Sequence, residues 1–202
     1  MDRQLELARE LLAMAQTGLY YCKDKFCHER YTRIREIAAE MIAERADLPL
    51  EKIKDLFFGD VGYMTPKIDT RAAIFKDGKI LLVREKTGWT MPGGWCEVHL
   101  SPVANTIKEV REEAGLDCVV EKIIAVQDRA KHNRPLYIFD VVKIFYLCRA
   151  TGGEFVPNIE TTAREYFSED KLPVMDEARC TAEQVKLCFK AACAESWETY
   201  FD

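Results

Sequence analysis

The hydrophobic residues of this chain change their spacing between the first part of the chain and the rest. In roughly the first 50 residues they recur every three to four positions, which is the period of an amphipathic helix. The pattern predicts one helix from about Leu5 that ends or is interrupted at Gly18, a second from Asp24 to about Ala46, and a third from Leu50 to Phe57. Three short helices bury too little surface to be stable alone, so we expect them to pack on the main domain, on a second copy of the chain, or on both.

After Pro66 the pattern becomes that of strands. Arg71–Phe75 and Ile80–Val83 flank an Asp-Gly pair, which predicts a β-hairpin. Further strands are predicted at about Cys118–Asp128, Leu136–Arg149 and Arg164–Phe167, and helices at Pro102–Ala114 and from Thr181 to about Tyr200. Strands on both sides of an amphipathic helix predict an α/β/α sandwich around a mixed sheet. We therefore expect a helical region over residues 1–62 and an α/β main domain over residues 67–202.

Aromatic residues are frequent in the helical region, and we expect them to serve its core and an interface together, with contact to a ligand as the weaker alternative. They are Tyr20, Tyr21, Phe26 and Tyr31.

Composition narrows the class of protein. With 48% hydrophobic and 31% charged residues the chain can build a core in water, and a net charge of −5 argues against binding nucleic acid by phosphate neutralisation. No basic start precedes an apolar run and no stretch is long enough to span a bilayer, so we expect a cytoplasmic protein. The eight cysteines form no Cys-x-x-Cys pair, and with the three histidines they complete no zinc spacing, so reduced thiols are expected.

The strongest chemical signal is a group of carboxylates after a glycine pair. Glu109, Glu112 and Glu113 are spaced so that they share one face of the helix that follows Gly93 and Gly94. Clustered anions raise one another's pKa unless a cation lies among them, and oxygen ligands suit Mg²⁺ or Mn²⁺. A solvated acidic helix face is the alternative interpretation.

Residues 92–116 resemble the motif of the Nudix hydrolases, Gly-x5-Glu-x7-Arg-Glu-(aliphatic)-x-Glu-Glu-x-Gly-(aliphatic). The positions that match are Gly94, Glu109, Val110, Glu112, Glu113, Gly115 and Leu116. Leu100 stands in place of the first glutamate, Lys108 in place of the arginine, and His99 in place of a glycine. Since the three later glutamates are kept, we interpret the site as active, with the role of the first glutamate dispensed with or supplied from elsewhere.

The resemblance extends to a Nudix subgroup with a helical N-terminal region, through segments such as Ala15–Tyr21, Phe57–Lys67, Leu81–Glu85 and Asn158–Thr161. It implies the Nudix fold for residues about 67–202, a homodimer formed through the N-terminal helices, and hydrolysis of nucleoside diphosphates linked to another moiety, such as CDP-choline or ADP-ribose.

The resemblance also implies roles for residues. Glu109 and Glu113, with Glu112 and backbone carbonyls near Gly94, are the expected ligands of Mg²⁺ or Mn²⁺. The catalytic base is a glutamate of the motif, Glu109 or Glu112, or Glu160 in a later loop. Glu165 is a further candidate, although it is expected to face solvent from a strand.

Four residues are candidates for binding the substrate: Arg84, Arg71, Trp95 and Asp128. Arg84 could reach a phosphate, with Arg71 and Lys86 behind it, and Trp95 or Trp89 could stack on a base. Asp128 belongs to a polar cluster with Lys131 and His132. A surface arginine, a packing tryptophan and an ordinary loop are the respective alternatives.

Three functions therefore compete at this point. The leading one is a metal-dependent pyrophosphohydrolase that splits a nucleoside diphosphate derivative into a nucleoside monophosphate and a phosphorylated remainder. A Nudix-fold sensor that binds a nucleotide without cleaving it is supported by Leu100 and Lys108, and an RNA 5′-end pyrophosphohydrolase is disfavoured by the acidic balance.

Overall fold

The computed structural model describes residues 2–202 and divides the chain into two compact units, with the boundary between Pro66 and Lys67. Among the described residues, no helix combines the length and the apolar character that crossing a membrane requires.

The first unit consists of three helices: α1 (Arg3–Tyr21), α2 (Lys25–Ala46) and α3 (Leu50–Phe57). Asp24, the predicted first residue of the second helix, is the cap of α2, since its carboxylate accepts the Cys27 N–H at 2.9 Å. The buried side chains are small and aliphatic and include Leu5, Ala8, Leu12, Ala15, Ala38, Ala39, Ile42 and Ile53.

One boundary in this unit was predicted wrongly. Gly18 does not end α1, which continues to Tyr21. A Cβ on Gly18 would lie 2.5 Å from the ring of Tyr31, so the glycine allows α2 to approach α1 closely instead of breaking the helix.

Several large apolar side chains of the first unit are exposed. Phe26 and Tyr21 each expose 67% of their surface, Tyr20 57% and Met14 56%. Tyr20, Tyr21 and Phe26 are therefore not core residues of this unit, contrary to that part of the expectation.

The second unit is built on a seven-stranded mixed sheet within Lys67–Asp202. Its strands are β1 (Lys67–Lys76), β2 (Lys79–Arg84), β3 (Trp89–Thr90), β4 (Asp117–Asp128), β5 (Val141–Gly152), β6 (Ala163–Phe167) and β7 (Tyr200–Phe201). Their order is β3-β2-β1-β5-β4-β7, and β6 pairs antiparallel with β2. β1 and β5 run parallel at the centre, with Lys67 opposite Val141 and Ile74 opposite Cys148.

Helices of the second unit cover both faces of this sheet. The helix α4 (Pro102–Ala114) packs against the face that carries Ala72, Ile74 and Tyr146. The helix α6 (Ala182–Cys193) packs against the face that carries Ala73 and Phe145. The α/β/α sandwich with a mixed sheet that the sequence predicts is confirmed.

Two predicted elements differ from the structure. β5 starts at Val141 instead of Leu136, because residues 129–140 form the short helix α5 (Arg129–His132) and a loop that contains Pro135. α6 ends at Cys193, because the following segment binds the edge of β4, where Trp197 Nε1 donates to the Ile124 carbonyl at 2.9 Å. In both places tertiary contacts override a local pattern.

The cysteines remain free thiols throughout the described residues, as expected. Half of them are buried: Cys118, Cys148, Cys180 and Cys188.

Candidate active site

The glycine pair lies between β1 and α4. The Ala72 N–H donates to the Pro92 carbonyl at 2.8 Å, and the Thr70 N–H donates to the Gly94 carbonyl at 2.9 Å. Gly93 has φ of 141°, and a Cβ there would overlap the Thr70 carbonyl oxygen, so only glycine permits this close approach. The loop is thereby held against the central strand.

The motif helix begins and ends where its sequence predicts. Ser101 Oγ accepts the Ala104 N–H at 3.2 Å and Pro102 occupies the first turn. Gly115 terminates the helix with φ of 63°, in the left-handed conformation that glycine adopts without strain.

The three motif glutamates have different environments. Glu113 is only 4% exposed, and its Oε2 accepts the Gly93 N–H at 2.8 Å. Glu109 is partly buried beside Gly94: a Cβ placed on Gly94 would lie 3.1 Å from Glu109 Oε2. Glu112 is exposed. Of the three glutamates predicted to share one helix face, Glu109 and Glu113 are therefore at least partly buried, and Glu112 lies at the exposed edge of the group.

A fourth carboxylate, which sequence reasoning missed, belongs to this group. Glu85 follows β2 and is held by Arg179, whose Nη1 lies 2.7 Å from Glu85 Oε2. Burial raises the pKa of Glu85 even though Arg179 opposes it. Burial raises the pKa of Glu113 to about 7, with Arg71 opposing and the negative charges of Glu85 and Glu109 adding to the rise. We call Glu85, Glu109 and Glu113 the acidic cluster.

Lys108 lies among carboxylates in the way expected for the arginine that it replaces. Its Nζ lies 2.6 Å from Glu112 Oε2, 3.2 Å from Glu109 Oε1 and 3.2 Å from Glu97 Oε1. Hydrogen bonding to Glu112 is the main cause that raises the pKa of Lys108 above its usual value. Glu97 stands three positions before Leu100 and contacts Lys108. It therefore places a carboxylate beside Lys108, whereas Leu100, at the position of the first motif glutamate, has none.

The later loop is fixed to the C-terminal end of the motif helix. Asn158 Nδ2 donates to the Glu112 carbonyl at 2.7 Å, and Thr161 Oγ1 donates to the Glu113 carbonyl at 2.8 Å. Glu160 lies between these anchors, is exposed, and its charge contributes to the raised pKa of Glu85. The structure therefore brings Glu160 towards the acidic cluster, whereas Glu165 faces solvent as expected.

The donor chemistry of the acidic cluster fits a hard divalent cation. All its polar side-chain atoms are carboxylate oxygens, and burial raises the pKa of each of the three glutamates, a rise that a bound cation would oppose. Within residues 2–202, no three His, Cys, Asp or Glu side chains form a ready-made metal-binding group. The side chains fit such a cation by type and burial, and not by a preformed geometry.

A cavity of about 410 Å³ opens beside Gly94 and Trp95. Its other lining residues include Asp69, Arg71, Arg129, Tyr137, Lys143 and Arg179. The volume lies in the range of pockets that hold small molecules. Tyr137 and Lys143 are also residues that the sequence analysis did not select.

A buried ion network lies against the floor of this cavity. Asp69 Oδ2 accepts from Arg71 Nη2 at 2.8 Å and Asp69 Oδ1 accepts from Lys143 Nζ at 2.6 Å. Although burial raises the pKa of Asp69, the two cations outweigh this and lower it to about 2. Asp69 is therefore ionised over the ordinary pH range.

The predicted substrate-binding residues divide into two groups. Trp95 and Arg71 line the cavity. Arg84 is exposed at the end of β2, and Asp128 caps α5 by accepting the Ala130 N–H at 2.9 Å; neither lines this cavity. His132, which was grouped with Asp128, lies 2.8 Å from an oxygen of Asp202.

Comparison with known proteins assigns both units of the chain. Residues 66–187 match the model of the NUDIX domain, and residues 2–57 match that of the UDP-X-like, N-terminal oligomerisation domain. A putative ADP-ribose pyrophosphatase, YjhB, of Bacillus subtilis (strain 168) is 40% identical over 200 residues, which are 98% of this chain and 96% of that protein.

Solved structures agree with this assignment. The structure described as UDP-X diphosphatase is 33% identical, with a TM-score of 0.65, over 99% of this chain and 98% of that one. The ADP-ribose pyrophosphatase of Streptococcus suis 89-1591 is 52% identical, with a TM-score of 0.64, over 68% of this chain and all of that one. The motif, the fold and these matches agree, and the chain belongs to the Nudix hydrolase family.

Proposed function

We propose that this Nudix pyrophosphatase hydrolyses a nucleoside diphosphate linked to a second moiety, releasing a nucleoside monophosphate and a phosphorylated remainder. The observation that supports this proposal most strongly is that the acidic cluster and the cation-lined cavity meet at the Gly93–Trp95 loop. An ADP-ribose-like substrate is suggested by the names of the Bacillus and Streptococcus relatives, and a UDP- or CDP-linked substrate by the UDP-X diphosphatase and by the resemblance of the sequence to enzymes that act on CDP-choline.

Nudix hydrolases generally use divalent metal ions, and we propose Mg²⁺ or Mn²⁺ for this one. Glu109 and Glu113 would hold the ion, with Glu112 at the rim and a backbone carbonyl near Gly94. A bound cation of this kind neutralises developing phosphoryl charge and lowers the pKa of a bound water. Arg71 supports this role, because its buried charge opposes the rise in the pKa of Glu113.

We propose Glu160 as the group that accepts the proton of the attacking water. Its loop is fixed by Asn158 and Thr161 to the carbonyls of Glu112 and Glu113, and its carboxylate is exposed and not held in an ion pair with Lys108 as that of Glu112 is. Glu109 and Glu112 are the alternative bases within the motif.

For substrate binding we propose Trp95 and Arg71, because both line the cavity. The sensor alternative is weakened by Glu97, which supplies Lys108 with the carboxylate that Leu100 lacks. We propose further that residues 1–62 form an oligomerisation domain and residues 67–202 the hydrolase domain, and that the chain is a homodimer. The free thiols fit a reducing compartment such as the cytosol.

The test is a substrate screen. Purified protein is given CDP-choline, UDP-glucose, ADP-ribose, dinucleoside polyphosphates, nucleoside triphosphates and triphosphorylated RNA, with Mg²⁺ or Mn²⁺, and the products are separated by chromatography. The expected result is a nucleoside monophosphate from one of the first three compounds, abolished by a chelator. Failure to cleave any of them, with the metal ion shown to be bound by calorimetry, would overturn the proposed reaction.

The variant for this assay is Glu113→Gln. We expect kcat to fall about 10²- to 10⁴-fold, while the amide oxygen can still accept the Gly93 N–H and preserve the fold. Glu121→Gln is the matched control, since Glu121 only forms an exposed ion pair with Arg149 at 2.8 Å, and it should keep full activity. Equal activity of both variants would contradict the placement of the site.

A further inference from the structure

We propose that Trp95 and Tyr137 form a slot for the nucleobase of the substrate, and that Lys143 at its floor selects bases with a ring carbonyl, namely uracil, cytosine or guanine, over adenine. This inference rests on the proposed function, because it names the class of nucleoside diphosphate that the site accepts.

The two rings have the arrangement of a partly open slot. Trp95 and Tyr137 line the same cavity, with ring centroids 6.2 Å apart and planes inclined by 22°. A planar ring in van der Waals contact with both would need about 7 Å between the two ring planes, so one ring must move away from the other to admit a base. Both side chains are partly exposed, 46% for Trp95 and 37% for Tyr137, and both lie in loops, which leaves room for this movement.

The Tyr137 side is fixed by contacts that do not need a ligand. The guanidinium of Arg129 lies over the Tyr137 ring, 5.0 Å from its centroid, and donates to the carbonyls of Pro135 and Ala178 at 3.2 and 3.0 Å. Phe139 contacts the Tyr137 ring at 5.5 Å with its plane inclined by 63°. One wall of the slot is therefore held in place in the absence of a base.

The Trp95 side is fixed through its backbone. Trp95 forms a bridge with Asp69, and the Cys96 N–H donates to the Ile68 carbonyl at 2.8 Å. Because Trp95 follows Gly94 directly, a base stacked on its ring would lie beside the acidic cluster.

The floor of the cavity offers hydrogen-bond donors. Two cations, Arg71 and Lys143, share the single carboxylate of Asp69. Arg71 is further engaged by Thr90 Oγ1 at 3.2 Å and the Met91 carbonyl at 3.1 Å. Lys143 is 1% exposed and lines the cavity, and its hydrogen bond to Asp69 uses one of the three N–H donors of an ammonium group.

The N–H donors of Lys143 that are not bonded to Asp69 determine which bases fit. Uracil, cytosine and guanine present a carbonyl oxygen, which accepts from an ammonium group. Adenine has no carbonyl oxygen: its acceptors are ring nitrogens, and the amino group beside N1 and N7 is a donor that would face the ammonium group. A buried donor left without an acceptor is costly, so a carbonyl-bearing base is favoured.

The experiment measures binding of nucleoside monophosphates by calorimetry, so that it does not depend on turnover. We expect UMP and CMP to bind at least about tenfold more tightly than AMP, a difference of about 1.4 kcal/mol. Trp95→Ala and Tyr137→Ala should each weaken UMP binding about 5- to 150-fold, the range for loss of one stacked aromatic ring. Tyr137→Phe keeps the ring and should retain UMP affinity within about threefold.

The role of Lys143 is tested by changing the ligand, because the Lys143→Met variant loses a buried charge and could fail to fold. UMP analogues with sulfur in place of the O2 or the O4 oxygen keep the ring area and weaken one acceptor. We expect at least one analogue to bind about tenfold more weakly than UMP, and Lys143→Met, where it folds, to abolish that difference.

The slot is overturned if both alanine variants bind UMP as the wild type does. The selection is overturned if AMP binds as tightly as UMP, or if neither sulfur analogue differs from UMP. These results are separable from failure of the proposed function, in which no nucleoside diphosphate derivative is cleaved although the binding pattern of the monophosphates holds.

Discussion

At the scale of single residues, the two departures from the Nudix motif compensate each other. Lys108 keeps contact with Glu109 and Glu112, and Glu97 joins them from the loop before the helix. A lysine offers one compact charge where arginine offers a planar fork, so it can share its ammonium among three carboxylates without bidentate geometry. We infer from these contacts that Leu100 and Lys108 are one coupled change and not two losses.

This coupling can be measured. Glu97→Gln should lower kcat/KM about tenfold, because Lys108 then loses one of the contacts that position Glu109. In the double variant Leu100→Glu/Lys108→Arg, which restores the usual motif, the same Glu97→Gln change should lower kcat/KM by less than about threefold. Steady-state kinetics of the four proteins gives the coupling energy directly.

The matched control is Glu198→Gln, in the segment after α6. It carries the same chemical change outside the motif and should leave kcat/KM unchanged in both backgrounds. Equal losses from Glu97→Gln in the two backgrounds would show that Glu97 does not substitute for the missing glutamate.

At the scale of elements, the motif helix and the later loop meet at Gly115. A Cβ on Gly115 would overlap the Glu154 carbonyl oxygen, and its φ of 63° is left-handed. The loop that follows carries Asn158, Glu160 and Thr161 back over the same helix end. We infer that the close approach at Gly115, together with the contacts of Asn158 and Thr161, positions Glu160.

Gly115→Ala should destabilise the second unit by about 2–5 kcal/mol, the sum of left-handed strain and overpacking. Gly78→Ala is the control, since Gly78 has φ of 72° with nothing within 4 Å of a Cβ, and it should cost only about 1–2 kcal/mol. Urea unfolding followed by tryptophan fluorescence measures this unit alone, because Trp89, Trp95 and Trp197 all belong to it.

Similar losses of stability in the two variants would show that packing against Glu154 contributes nothing. If packing contributes as described, Gly115→Ala should also lower kcat at temperatures where the variant remains folded, and Gly78→Ala should not.

Local signals explain which elements the sequence predicted correctly. Ser101 and Gly115 fixed the motif helix and Asp77-Gly78 fixed the hairpin, because caps and tight turns depend on a few neighbouring residues. The start of β5 was missed because Arg129 is held by the distant Ala178 carbonyl, a contact that no local pattern contains.

The site was predictable only where a motif marked it. Glu109 and Glu113 followed from their spacing, whereas Glu85 is held by Arg179, which is 94 positions away in the sequence. Lys143 did leave a signal, because it occupies the same alternating face of β5 as Val141 and Phe145, where a charge implies a buried partner. The ring contact between Trp95 and Tyr137 had no counterpart in the sequence.

At the scale of the whole molecule, the exposed apolar side chains of the first unit suggest what completes it. Met14, Tyr20, Tyr21 and Phe26 each expose more than half of their surface, and contiguous exposed apolar groups on a small unit are typical of an interface. The matching family of these residues is described as an oligomerisation domain. A second copy of the chain is the partner that this description favours.

Phe26→Glu should therefore shift the proposed dimer towards monomer, because a carboxylate in a closed apolar interface is desolvated without a partner. Light scattering coupled to size-exclusion chromatography measures the molar mass against 23.3 kDa for one chain. Val174→Glu, at an apolar side chain of the second unit that is 84% exposed, should leave the mass unchanged. A wild-type protein that runs as a monomer at all concentrations would refute the interface.

The central strand has a consequence for how the chain finds its fold. Along β1, Asp69 and Arg71 face the cavity side of the sheet, while Thr70 faces the motif helix and accepts from Asn105 at 3.1 Å. A slip of β1 by one residue would exchange these faces and separate Asp69 from Lys143 on β5, which would leave the buried ammonium group of Lys143 without its partner. Misaligned pairing of β1 with β5 is thus penalised by electrostatics as well as by packing, and the ion network that lines the binding cavity also acts as an error check during folding.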